Sequence, residues 1–112
     1  MATTARRKYS VGIGLTPTVI GAYTAPSVTT GTYVSALTIA NTLTGPSIVV
    51  TVDIFDGTTA VNWVKNALIM QGGCLTLATD STRMPLNNGD QVRVTSNVAA
   101  SCDAIMGVSE IT

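Results

Sequence analysis

The sequence contains no histidine, and only 11 % of its 112 residues are charged. Both shortages narrow what the chain can do. Without histidine, a hydrolase would need a Ser or Cys activated by Lys or Asp, and the sequence shows no such pairing. Two cysteines and no imidazole make a poor zinc site. The six basic and six acidic residues cancel, so there is no cationic excess for a phosphate backbone, and nucleic acid is not an expected partner. No apolar run approaches the roughly 20 residues that span a bilayer. "MATTARRKYSVGIG" has cations but no apolar core after them, so it does not read as a secretory signal. A membrane is therefore not expected either, and the chain reads as made and kept soluble in a cytoplasm. The charged share is less than half of the usual figure of about 25 %. The surface must be covered by Thr, Ser, Asn and Gly, or by another chain.

What is present is β-branched. The chain has 19 Thr, 13 Val and 8 Ile, side chains that are stiff at their first torsion and suit a pleated surface. Short apolar stretches recur between turn signals: "VIGAYT", "TYVSALTIANT", "SIVVTVDIF", "AVNWVKN", "ALIMQ", "CLTLAT", "QVRVTSN" and "CDAIMGVSEI". "DGT" at 56–58 reads as a hairpin turn, because Asp-Gly readily takes positive φ. The pattern predicts seven to nine strands and an all-β fold, a single antiparallel β-sandwich of jelly-roll or immunoglobulin-like type. "IVVTVDI" is expected as a central strand, with Ile48, Val50, Val52 and Ile54 buried and Thr51 and Asp53 facing out. In "QVRVTSN", Val92 and Val94 point in and Arg93 points out.

The candidates for chemistry are few. Asp56 and Asp90 sit in turns, where backbone hydrogen bonding accounts for Asp. Asp53 and Asp103 are expected to face outward on strands. A calcium site built from turn carboxylates is conceivable, but no catalytic constellation emerges. No catalytic residue, cofactor or metal is expected, and the chain reads as a non-enzyme. By strand parity Cys74 points out and Cys102 in, which predicts two free thiols and a reducing compartment.

Residues 1–16 lack strand alternation and carry Arg6, Arg7 and Lys8. They read as an N-terminal arm ahead of a sandwich domain at 17–112. An arm with no core of its own becomes ordered by lying on a partner. Val11, Ile13 and Leu15 alternate and suit addition to a sheet edge, while the three cations would meet acidic groups. Trp63 is expected in the core or at an interface. Lys65 is expected at a rim, within reach of a partner's carboxylate. These eight residues are the candidate assembly contacts.

The ordered series "AYTAPSVTTGTYVSALTIANTLTGPSIVVTVDIFDG", "VKNALIMQGGCLTL" and "MPLNNGDQVRVTSNVAASCDAIMGVSEI" resembles small β-sandwich virion proteins of tailed bacteriophages. The matching positions are Tyr23, Thr24, Pro26, Ala40, Asn41, Thr42, Asp56, Gly57, Lys65, Asn66, Gly89, Asp90 and Glu110, across about residues 22–111. The resemblance implies a structural protein of the virion present in symmetric copies. One form is a capsid decoration (cement) protein, a homotrimer on the major capsid protein that stabilises capsomer contacts. Another is a neck, collar or tail-associated protein of the same fold. A reading from a different class is a carbohydrate-binding module that stacks sugars on Trp63 with Tyr23 or Tyr33.

Overall fold

The computed structural model describes residues 2–27, 31–79 and 81–112. The described residues form strands β1 (Thr3–Ile13), β2 (Thr18–Val19), β3 (Gly31–Asn41), β4 (Ile48–Phe55), β5 (Ala60–Ile69), β6 (Cys74–Ala78), β7 (Met84–Leu86), β8 (Gln91–Ser96) and β9 (Cys102–Ile111). A short 3-10 turn, Ile20–Ala22, follows β2. One sheet runs β1-β9-β3-β6, with β7 beside β6 on the same flank of β3, and the other runs β2-β8-β4-β5. All pairings are antiparallel. The strand orders β1-β9-β3-β6 and β2-β8-β4-β5 are those of a jelly roll, which decides between the two sandwich types left open by sequence.

The core forms where the inner faces meet. β4 contributes Ile48, Val50 and Val52 and β8 contributes Val92 and Val94, all at most 1 % exposed. Opposite them lie Val34, Leu37 and Ile39 of β3 and Ala104, Met106 and Val108 of β9. Burying each large aliphatic side chain contributes about 1.5–3 kcal/mol. β4 is central, as expected, but Ile54 is only half-buried. It keeps the inward phase, opposite buried Val92 and packed against the core, but it stands at the end of β4, next to the turn at Asp56, where fewer side chains cover it. Asp53 faces outward opposite Arg93, yet it is covered: Arg93 Nε lies 2.8 Å from its Oδ1, and the guanidinium lies over the Phe55 ring.

Three expectations about elements are corrected. "VIGAYT" is not a strand: only Thr18 and Val19 pair with β8, and Gly21, at φ +60, turns the chain. "AVNWVKN" and "ALIMQ" are one strand, interrupted by Asn66 at φ +57. "MPL", which holds a proline and is not among the expected strands, pairs with β3 as an edge strand, where a missing N–H is tolerated. The largest difference concerns the arm. Thr3–Ile13 is β1, paired with β9 of its own chain, so the sandwich does not begin at residue 17. Its alternation is invisible in sequence because its inward side chains are Thr4, Arg6, Lys8 and Ser10, which overhang the flank of the core.

Candidate assembly surface

β1, β3, β5 and β8 all end at one pole of the sandwich, and β4, β6 and β9 start there. Four loops meet at that pole: residues 14–17, 42–47, 70–73 and 97–101. They are tied to one another and to the strand ends. Ser96 N donates to Gly14 O at 2.8 Å, Ser101 N to Ile13 O at 2.9 Å and Thr42 N to Ser101 O at 3.0 Å. Buried Asn41 donates from Nδ2 to Pro46 O and Ile69 O, at 3.0 and 3.1 Å, and accepts from Leu43 N at 2.9 Å. One amide thus fixes the 42–47 loop and the end of β5 together. This pole is a built surface rather than a set of loose connections.

None of these four loops contains an Asp, Glu, Lys or Arg. All twelve charges of the chain lie elsewhere. The pole instead exposes Leu15 at 64 % and Met70 at 67 %, with half-buried Leu43 and Val98 between the loops. Val11, 70 % exposed, stands beside it at the end of β1. The outer face of the first sheet adjoins this edge. It carries a shallow depression of about 230 Å³ between Tyr9, Val11, Thr38, Ala40, Asp103 and Ile105. Tyr9, Ile105, Thr38 and Thr76 form one cross-strand row there. Charge depletion with exposed Met and large aliphatic side chains is the composition of the centre of a protein interface.

The eight candidate contacts do not form one site. Val11 and Leu15 belong to the uncharged pole, but Ile13, between them, is 2 % exposed and anchors β1 in the core. Their alternation breaks because β1 loses register between Ser10 and Ile13. Arg6 is engaged within the chain, its Nε 2.9 Å from Oε1 of buried Glu110. Lys8 lies over the Tyr23 ring, 5.8 Å from its centre. Arg7 is exposed. Trp63 is half-buried against the core and Lys65 is exposed on β5. Met70, Leu43 and Val98 were not anticipated. The clue, four charge-free stretches, lay in the sequence, but only the topology brings those stretches together.

Three of the carboxylates accept hydrogen bonds from backbone N–H groups of this chain. Asp56 Oδ1 accepts from Thr59 N at 2.7 Å and Thr58 N at 2.9 Å, and these bonds hold its pKa below the usual carboxylate range. Asp90 caps its turn through Asn87 N at 2.8 Å. Asp103 accepts from Gly12 N at 2.9 Å. Both cysteines are free: Cys74 is exposed, while Cys102 is buried, and burial raises its thiol to about 11. Among the described residues no group of three or more His, Cys, Asp or Glu is placed to hold a metal. The aromatic rings are dispersed: Tyr23 is buried, and Trp63 and Tyr33 are half-buried.

No family model and no curated protein matches the chain. A solved structure of Bacillus endospore appendages, described as a family of disulfide-linked pili, is similar in fold. Its TM-score is 0.59 at 17 % identity, over 97 % of this chain and 88 % of that one. The likeness is one of fold, and it is to an appendage rather than to a phage protein.

Proposed function

We propose that this chain is a non-enzymatic structural subunit that attaches in several copies to a larger particle through its uncharged pole. The observation that carries this reading is the segregation of charge. Four hydrogen-bonded loops without a single charge present Leu15 and Met70 to solvent, a surface that gains free energy when another protein covers it. The fold neighbour, a pilus, is compatible with a role in assembly. The ordered sequence pattern favours one kind of particle, the virion of a tailed bacteriophage, with decoration of the capsid ahead of a place at the neck or tail. The pattern's own residues act as fold-makers: Asn41 ties loops, Asp56 and Asp90 close turns, and Glu110 bonds Tyr23.

The test uses particles lacking the protein. The full chain is expected to bind them, and a Leu15→Asp/Met70→Asp variant to keep its thermal melt and lose occupancy. Binding of the variant at wild-type occupancy would remove the pole as the contact. A density map of decorated particles separates head from neck and tail.

A further inference from the structure

Residues 2–10 are held to the sandwich by bonds that a second copy could make equally well. Eight residues, Thr3 to Ser10, pair in register with β9, from Thr3 opposite Ile111 to Ser10 opposite Ala104. None of them is buried; Lys8 and Ser10 are half-buried and the rest exposed. Their removal would therefore open no cavity in the core. The first anchored side chain is Ile13, at 2 % exposure. The two are separated by a break in the pairing at Val11 and Gly12. Gly12 has φ +62, a conformation that glycine adopts without steric cost, and one hydrogen bond, from its N–H to Asp103 Oδ1 at 2.9 Å, holds it there. Beyond it the chain is fixed, Gly14 being pressed against the backbone of Ala99 and Ala100. These features describe a hinge with a detachable strand on one side.

The place this strand occupies is shaped for a strand of this sequence. One wall is β9. The other is the Ile20–Ala22 turn, where a Cβ on Gly21 would come within 2.8 Å of Lys8 Cβ and 3.1 Å of Tyr9 N. Gly21 N donates to Ser10 Oγ at 2.9 Å. The slot also holds a buried carboxylate, Glu110, 6 % exposed, which takes Arg6. An arbitrary peptide would leave that carboxylate without its cation. Two β1 strands laid edge to edge would instead crowd Arg6, Arg7 and Lys8 of both copies, which like-charge repulsion disfavours.

We propose that residues 2–10 are an exchangeable strand, which in the assembled protein swings about Gly12 and fills the slot between β9 and the Ile20–Ala22 turn of a second copy of this chain. Nine extended residues reach about 30 Å, comparable with the 28 Å middle dimension of the molecule. Each copy gives one strand and receives one, so exchange between two copies closes a two-fold dimer, and exchange passed on to a third copy makes a ring or a filament. It joins copies to one another through the β9 edge rather than through Leu15 and Met70, so the two proposals stand or fall separately.

The experiment uses full chains carrying Cys74→Ser. Ala5 and Ser109 face each other across the β1–β9 pair. One protein carries Ala5→Cys and the other Ser109→Cys. They are unfolded together, refolded at high concentration and mildly oxidised, and the links are mapped by peptide mass. The control pair is Thr38→Cys with Thr76→Cys, which face each other across β3 and β6. Strand exchange predicts a covalent heterodimer linked between positions 5 and 109, with no counterpart in the control. Absence of that heterodimer, or equal yield from the control pair, would overturn the proposal.

Discussion

Glu110 holds the fold together at the level of a single side chain. Its carboxylate accepts from Arg6 Nε at 2.9 Å and from Tyr23 Oη at 2.5 Å, joining β1, β9 and the turn after β2. Burial pulls its pKa up, but the hydrogen bonds from Tyr23 and Arg6 and the charges of Arg6 and Lys8 outweigh this, and the net shift is downward. Burial and the bond to Glu110 push the Tyr23 phenol well above its usual range, so it stays a donor. A carboxylate with a depressed folded pKa stabilises fully above the unfolded value, about 4.3 for Glu. That stability is lost as pH falls through the folded value. Glu110→Gln is therefore expected to cost about 1–3 kcal/mol at neutral pH, and the gap to wild type should narrow in acid. Urea melts at neutral and acid pH read this directly, and a gap unchanged by pH would contradict it. Little of this pairing was legible in advance. The sequence shows Arg6 as a free cation of an arm, because its partner lies 104 positions away and nothing local couples them.

At the scale of elements, legibility followed burial. β4 reads directly because both its neighbours bury the same face, and a one-residue slip would turn Ile48, Val50 and Val52 to solvent. β8 and β9 read for the same reason. β1 does not read, because a strand overhanging the core needs no apolar stripe, and its attachment rests on backbone bonds and Glu110. β5 is intermediate: its register breaks twice, leaving Trp63 half-buried and Val61 64 % exposed. The contrast gives a measurable pair. Ile48→Ala should cost about 2–5 kcal/mol, the range for truncating a fully buried aliphatic side chain. Val61→Ala, on the free edge, should stay within about 0.5 kcal/mol. Denaturant melts of the two variants decide; similar losses would mean that the β5 edge is covered in solution, as by a second copy.

At the scale of the whole molecule, charge is sorted along the strands. One pole has none, while Asp56, Asp90 and the Arg6–Glu110 pair lie toward the other, where β4 ends and β1 begins. The two attachment routes therefore answer differently to salt. Attachment through Arg6, Arg7 and Lys8, as the sequence alone suggests, would weaken as salt screens those charges over a Debye length of about 10 Å at 0.1 M. In the structure Arg6 is committed to Glu110 and Lys8 lies over Tyr23, which leaves Arg7 as the exposed member of the three that neither a carboxylate nor a ring engages among the described residues. Attachment through the pole buries Leu15, Met70 and their uncharged neighbours. Sodium chloride then has no charge pair to screen, and an excluded salt such as ammonium sulfate strengthens apolar burial. Occupancy of the full chain on particles lacking it is expected to stay level through a sodium chloride titration and to rise with ammonium sulfate. A steep fall with sodium chloride would return the contact to the cationic strand, with Arg7→Ala then the variant that abolishes binding.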